Sequence, residues 1–217
     1  MSRDMPDETA RTKRSICAIT PVFNRRDLTL DCLRTLFESD LDGLDLHCIV
    51  VDDGSSDGSA AAIADAFPQV EIITGDGTLW YSEGTNVGIR SALLRDPDYM
   101  LLYNNDSRFP RDALQKLVSC AERHPSSLVG GVLIDWDQPE RIFQVGTQWQ
   151  TGYGGWRTWE RQTVASLPDR PFAVETIVGN CMLVPTQAIR DCGLLRAAAT
   201  PTLGDAELSA RMRQNGW

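Results

Sequence analysis

The chain has 217 residues, of which 42% are hydrophobic and 24% charged, and this predicts one globular domain that buries a proper core. The net charge of −9 at pH 7 argues against a surface for nucleic acid or anionic lipid, and it favours a cation beside any phosphorylated ligand. The six cysteines form no C-x-x-C pair, which is typical of buried thiols in a reducing compartment, so we expect a cytoplasmic protein without zinc.

The first half of the chain alternates predicted strands and helices. Polar residues 1–14 are interpreted as a disordered leader, and no segment has the length of a membrane span. Strands are predicted over residues 15–23, 46–53, 70–74 and 99–103, and helices over residues 26–39, from Ser56 or Asp57 to 67, over 83–94 and from Pro110 onward. This alternation predicts an α/β fold, a mostly parallel twisted sheet with helices on both faces.

The second half is less regular. Apolar strands are predicted over residues 128–136 and 174–185, and a final helix over residues 203–215. Between them, residues 142–162 carry Gly and Trp at close intervals, which indicates a hairpin or an irregular cover. We therefore expect residues 15–217 to form one domain with a smaller antiparallel part in its second half.

Aspartates stand at the ends of the predicted strands, where parallel sheets bind their ligands. Asp52 and Asp53 begin the turn cluster DDGSSDGS, so they either bind a ligand or simply make a turn. Residues 103–106 (YNND) end an apolar strand with two carboxamides and a carboxylate. Such hard oxygen ligands suit Mg²⁺ or Mn²⁺, although Asp106 also stands where it could cap the helix that Pro110 opens.

Two phosphate-binding motifs are missing from the chain. No G-x-G-x-x-G follows the first predicted strand, which argues against a dinucleotide-binding dehydrogenase. No G-x-x-x-x-G-K-[ST] is present either, which excludes a P-loop NTPase. Without such loops, a metal ion is the natural way to hold a diphosphate.

Six segments in chain order resemble motifs of the inverting glycosyltransferases of family two, which have the GT-A fold. The segments are residues 20–24 (TPVFN), 49–57 (IVVDDGSSD), 84–89 (GTNVGI), 101–106 (LLYNND), 178–184 (VGNCMLV) and 204–208 (GDAEL). The resemblance covers nearly the whole chain. It implies a nucleotide-binding half over about residues 15–110 and an acceptor half over about residues 111–217.

The resemblance also implies roles for individual residues. Those expected to bind the donor nucleotide are Pro21, Phe23, Asn24, Asp53 (which would reach the base), Asn86 and Asn105. Asp106 is the expected ligand of Mg²⁺ or Mn²⁺, and Gly179, Asn180 and Trp156 are expected on the acceptor side. Trp156 could instead cover a core edge.

The resemblance names Asp205 as the general base for an acceptor hydroxyl, with inversion at the anomeric carbon. Alternatively, Asp205 is only a helix-end charge beside the macrodipole. The implied function is metal-dependent transfer of a hexosyl or deoxyhexosyl group from a nucleotide diphosphate donor, in polysaccharide, cell-wall or glycoconjugate synthesis. The acceptor would be a sugar or lipid-linked hydroxyl, and any membrane contact would come through that acceptor alone.

The sequence departs from the family pattern at two places. Asn104 and Asn105 replace the first acid of D-x-D, as in the rhamnosyltransferase-like branch, which favours a UDP- or dTDP-sugar and leaves Asp106 as the one clear metal ligand. Family members usually continue beyond Trp217, so we expect a shortened C-terminus. Two rivals stay open: a sugar nucleotidyltransferase, which would show a Gly-rich loop ending in Arg after the first strand, and a non-catalytic nucleotide-sugar-binding domain.

Overall fold

Ten strands lie in the residues that the structure describes, and six of them form one central sheet. The computed structural model describes residues 13–150, 155–157, 162–177 and 179–217, with the backbone alone for residues 149–150 and 155–157. The strands are β1 (Arg14–Val22), β2 (Leu44–Asp52), β3 (Glu71–Thr74), β4 (Tyr99–Tyr103), β5 (Val129–Gly130), β6 (Leu133–Ile134), β7 (Ile142–Gln144), β8 (Gln148–Gln150), β9 (Gly155–Arg157) and β10 (Cys181–Pro185). β1 starts at the edge of the predicted leader, of which residues 1–12 lie outside the described part.

The central sheet has the order β3-β2-β1-β4-β10-β5. β1 pairs in parallel with β2 and β4, and β2 with β3, whereas β10 is antiparallel to both β4 and β5. Two small antiparallel pairs, β6–β7 and β8–β9, lie in the second half of the chain. The expected mostly parallel sheet with a smaller antiparallel part is therefore confirmed.

Helices cover both faces of the central sheet. They are α1 (Arg26–Phe37), α2 (Ser59–Ala66), α3 (Trp80–Leu93), α4 (Ala113–Arg123), α5 (Thr186–Cys192) and α6 (Gly204–Gln214), with a 3₁₀ turn at Val164–Ser166. Successive strand side chains point to opposite faces, so Leu101 and Tyr103 pack under α1, α2 and α4. Met100 and Leu102 pack under α3, α5 and α6. No helix in the described residues is long and apolar enough to cross a membrane.

Two glycines bring α3 close to the end of β1. A Cβ on Gly84 would lie 2.9 Å from Cβ of Pro21, and a Cβ on Gly88 would overlap the Ile19 side chain. Glycine is needed at such positions because any larger side chain would push the helix away from the sheet. The N-terminus of α3 is thereby held over the carboxyl end of β1.

Two strands predicted in the second half differ from the structure. The strand predicted over residues 174–185 is reduced to β10, because Thr176 makes an isolated bridge to Thr147 outside the main sheet. The strand predicted over residues 128–136 is divided into β5 and β6, which pair with different partners, β10 and β7. An apolar run by itself does not specify which sheet each part joins.

Helix starts also differ from the prediction. α4 begins at Ala113 rather than directly at Pro110, and α3 begins at Trp80 rather than at residue 83. α2 begins at Ser59, and Asp57 Oδ1 accepts a hydrogen bond from its N–H at 3.0 Å. α5 was not predicted, because its apolar residues continue directly from β10. Local patterns predict helix ends less well than helix existence, since caps depend on loop geometry.

Candidate functional site

The carboxyl ends of β1, β2 and β3 meet at one edge of the sheet. The Asp53 N–H donates to Val22 O at 2.8 Å, and the Gly75 N–H donates to Asp52 O at 2.7 Å. These bonds extend the strand pairing into the loops that follow. We call this edge, with the loops at residues 23–25, 53–58, 75–79 and 104–107, the carboxyl edge.

Asp53 organises the loop between β3 and α3. Its carboxylate is buried, and Oδ1 accepts a hydrogen bond from Gly77 N–H at 2.8 Å. Oδ2 accepts from Leu79 N–H at 2.9 Å and from Trp80 N–H at 3.1 Å. A buried carboxylate is tolerated when hydrogen bonds replace its hydration, and three backbone donors do so here. In contrast, Asp52 Oδ1 accepts from Ser55 N–H at 2.9 Å, which is the contact that the turn interpretation predicts.

Asn24 connects the loop after β1 to the loop after β2. It adopts a left-handed backbone conformation (φ 59°), which Asn tolerates better than most residues. Its Oδ1 accepts from Ser56 N–H at 2.9 Å, and its own N–H donates to Ser55 Oγ at 2.7 Å.

The same turn matches the G-x-S-x-G spacing of serine hydrolases over residues 54–58, with Ser56 at the nucleophile position. The expected partner of such a serine is a histidine. His47 instead contacts Glu71, and His124 follows the end of α4. Ser56 itself bonds Asn24, so this match indicates a turn rather than a hydrolase elbow.

Residues 104–106 extend from β4 towards two neighbouring loops. Asn104 Nδ2 donates to Asn180 Oδ1 at 2.9 Å, and Asn105 Nδ2 donates to Thr29 Oγ1 at 2.8 Å on α1. Asp106 is 39% exposed, and its Oδ2 pairs with Arg25 Nη1 at 3.0 Å. The structure thus brings Asp106 next to the loop that contains Asn24.

The protein ligands for a metal at this edge are few. In the part of the chain that the structure describes, no group of three or more His, Cys, Asp or Glu side chains could hold a metal ion. Asp106 is nevertheless accessible, and its exposed ion pair with Arg25 is of a kind that contributes little to stability. Mg²⁺ commonly binds through one or two carboxylates together with substrate phosphates. The residues present therefore fit a cation that depends on a bound nucleotide for further ligands.

Asp205 lies in the first turn of α6 and contacts the turn that precedes β10. Its Oδ2 accepts a hydrogen bond from Gly179 N–H at 2.6 Å. A Cβ on Gly179 would lie 2.8 Å from the Asp205 Cβ and would overlap the Tyr81 hydroxyl, so this approach requires glycine. Burial, and next the charge of Asp205, raise the pKa of Tyr81, which therefore stays protonated beside the carboxylate.

Of the three residues predicted on the acceptor side, Gly179 and Asn180 are fully described, and Trp156 is described by its backbone alone. Asn180 accepts from Asn104 through its amide oxygen and donates from Nδ2 to Gln144 Oε1 at 3.3 Å. Residues 179–180 thus link the loop after β4 to α6. The Trp156 backbone belongs to β9 and pairs with residue 149 of β8, but its side chain lies outside the described residues.

Asn86, which the sequence predicts to contact the donor, makes its hydrogen bonds within the protein. Its amide is 2% exposed, and it exchanges two hydrogen bonds of 2.9 Å with the backbone N–H and C=O of Leu195. Nδ2 also donates to Glu83 Oε2 at 3.1 Å, which uses both amide hydrogens. Asn86 therefore fastens α3 to the segment that leads to α6, because its donors are all engaged inside the protein.

Other residues of the site were not found from the sequence. Arg25 contacts Asp106, and Tyr81 OH donates to Gly179 O at 3.4 Å. Ser82 binds the segment before α6 through two bonds, from its N–H to Pro201 O and from its hydroxyl to Thr200 O. Tyr81 and Ser82 lie just before the segment at residues 84–89. Their nearness to that motif is the feature of the sequence from which they could have been predicted as site residues.

A cavity of about 510 Å³ lies away from the carboxyl edge, at the opposite ends of β2 and β3. Glu71 lines this cavity and accepts hydrogen bonds from Ser91 Oγ, His47 Nε2 and Arg95 Nη2. Burial alone raises the pKa of Glu71, but these three bonds outweigh it and lower the pKa from 4.5 to about 2. The charges compensate one another, so we interpret this cluster as structural.

The chain is similar to known proteins in sequence and in structure. The sequence model described as "Glycosyl transferase family 2" matches residues 17–191. The structure is similar to the mannosyltransferase PcManGT from Pyrobaculum calidifontis in complex with GDP-Man and Mn²⁺ (TM-score 0.63, 17% identity, 95% of this chain and 54% of that chain). It is also similar to S. aureus TarS 1–349 (TM-score 0.61, 12% identity, 91% and 55%), so the chain spans about half the length of both. A search of curated proteins gave no match.

Proposed function

The chain belongs to glycosyltransferase family 2 and has the GT-A fold, and from this membership we propose that it transfers a sugar from a nucleotide diphosphate donor to an acceptor hydroxyl. One observation carries the proposal furthest. The turn at residues 179–180 binds Asp205 on one side and the Asn104 amide on the other, and so joins the candidate base to the strand end that carries Asp106. This turn would thus connect the candidate base with the strand end that carries the candidate metal ligand.

The donor nucleotide would lie along the carboxyl edge. Pro21 is the last residue but one of β1, Phe23 and Asn24 follow that strand, and Asp53 follows β2. Phe23 is 59% exposed and stands next to the Val22–Asp53 hydrogen bond, which favours a contact with the nucleotide. The Asp53 carboxylate already accepts three backbone bonds, and a carboxylate offers about four acceptor positions, so one position stays for the base.

Asp106 would hold Mg²⁺ or Mn²⁺, with the Asn105 amide oxygen beside it. The cation would neutralise the charge of the leaving diphosphate. Arg25 lies within ion-pair distance of Asp106 and supplies a positive charge at the same place. Asp106 would exchange its contact with Arg25 for one with the cation when the nucleotide binds.

Asp205 would act as the general base. Its Oδ2 is held by Gly179 N–H, which orients the carboxylate and leaves Oδ1 to take the proton of the acceptor hydroxyl. Attack from the face opposite the diphosphate would invert the anomeric carbon. The position in the first turn of α6 also favours a negative charge, so the macrodipole interpretation and the catalytic one are compatible.

The finer identity of the substrates stays a proposal. The Asn-Asn-Asp strand end favours a UDP- or dTDP-sugar with a hexosyl or deoxyhexosyl group, whereas the structural neighbour PcManGT was determined with GDP-Man. The acceptor would be a sugar or lipid-linked hydroxyl on the Gly179–Asn180 side, reached from the cytoplasm. A nucleotidyltransferase is disfavoured by family membership, and a non-catalytic binding domain is the remaining alternative.

Calorimetry with UDP, dTDP and GDP, each with and without Mn²⁺, tests the donor site. We expect one nucleotide to bind at least 10-fold more tightly with Mn²⁺ in the wild type. Asp106→Ala should abolish that difference, whereas the control Arg25→Ala should keep it, because it removes the competing partner of Asp106. Equal affinities with and without Mn²⁺ in the wild type would exclude the role of Asp106 as a metal ligand for the donor. Hydrolysis of a nucleotide-sugar donor, measured on the same samples, would separate an enzyme from a binding domain.

A further inference from the structure

Trp80 has a backbone conformation that its side chain disfavours. It is the first residue of α3 and has φ 55°, in the left-handed region. Glycine and asparagine adopt this region readily, whereas a bulky aromatic residue there is a genuine outlier. Such outliers persist where the surroundings impose them, and they concentrate at ligand sites.

The buried Asp53 carboxylate imposes this conformation. Its Oδ2 accepts from Leu79 N–H at 2.9 Å and from Trp80 N–H at 3.1 Å, while Oδ1 accepts from Gly77 N–H at 2.8 Å. The loop is also tightly packed, because a Cβ on Gly75 would lie 2.6 Å from Asp53 Oδ1. Trp80 cannot relax without breaking bonds to a buried charge.

The Trp80 side chain is not used in the core, since it is 65% exposed. A single exposed apolar residue is ordinary. Here, however, exposure coincides with an unfavourable backbone at the carboxyl edge. Phe23, which is also exposed, follows Val22, whose backbone oxygen accepts from the Asp53 N–H at 2.8 Å. Two residues with exposed rings therefore bond to Asp53 or directly follow a residue that does.

Resting on the proposed function, we propose that the Trp80 indole stacks on the nucleobase of the donor and so helps to determine which nucleotide is bound. The Trp80 N–H donates to Asp53, which is the residue proposed to reach the base, whereas Asp205, the proposed base for the acceptor hydroxyl, is bonded by Gly179. Flat bases stack well on indole rings. The base end of the donor is therefore the part that Trp80 meets.

Three variants separate this role from a structural one. Trp80→Gly removes the ring and relieves the left-handed backbone, so it should melt at or above the wild-type temperature. Trp80→Phe keeps a ring. The control Leu94→Ala removes an 88% exposed side chain that follows the other end of α3.

The measurements are nucleoside diphosphate binding by calorimetry and steady-state kinetics with the full chain. Trp80→Gly should weaken binding roughly 5- to 150-fold, as loss of one stacked base does, and should raise the KM for donor but not for acceptor. Trp80→Phe should recover most of the affinity, and Leu94→Ala should match the wild type. Unchanged nucleotide affinity in Trp80→Gly, or an effect on acceptor KM alone, would overturn the inference. A wild type that binds no nucleoside diphosphate would contradict the proposed function itself.

Discussion

The Asn86→Ala substitution distinguishes a fastening role from the donor contact that the sequence suggested. The change removes three hydrogen bonds and leaves the N–H of the buried Leu195 without a partner, whereas Leu195 O keeps its bond from the Ala197 N–H. One unsatisfied buried backbone group costs about 1–3 kcal/mol. Alanine is the better helix former by roughly 0.5 kcal/mol, which offsets part of that cost. We therefore expect a net loss of about 1.5 kcal/mol in the free energy of unfolding.

In a domain of this size, that loss should lower the melting temperature by roughly 3–6 °C, since about 1 kcal/mol corresponds to about 2–4 °C. Urea unfolding gives the free energy directly. Arg90→Ala on the same helix is the matched control, because it removes an exposed ion pair with Glu83 and should cost less than about 1 kcal/mol. Nucleotide affinity, measured well below the melting temperature, should stay within a few-fold of the wild type. Asn86→Ala with wild-type stability and lost nucleotide binding would refute the fastening role and restore the donor contact.

Two further predictions concern single carboxylates. Asp205→Asn keeps the size of the side chain but cannot take a proton, so transfer should fall about 10² to 10⁴-fold with nucleotide affinity nearly unchanged; unaltered turnover with a lower melting temperature would leave only the helix-end role. Glu71 has its pKa lowered from 4.5 to about 2 in the folded state, so its stabilisation is present above about pH 4.5 and is lost as the pH falls towards 2. The stability difference between the wild type and Glu71→Gln should therefore narrow across that range in urea titrations, and a difference independent of pH would be inconsistent with this assignment.

Much of the fold could be predicted from local pattern. Residues 99–103 were predicted as a strand with the bounds that β4 has, and the strand–helix alternation of residues 15–123 predicted the parallel sheet. Apolar periodicity is a property of neighbouring residues, so it can be recognised without knowing which elements pack against one another. The ends of parallel strands meet at one edge, and for that reason Asp53 and Asp106 could be expected there.

The tertiary structure decided what each polar side chain does. Asn86 bonds to Leu195, which is 109 positions away along the chain, and Asp205 bonds to Gly179, which is 26 positions away. No local pattern contains such partners. The left-handed backbone of Trp80 could not be predicted either, because the residue type argues against it and its N–H bonds to Asp53, which is 27 positions away along the chain. Sequence periodicity determines which face of an element is buried. The hydrogen-bond partners of a buried polar group depend instead on which distant backbone groups the packed fold brings within about 3 Å of it.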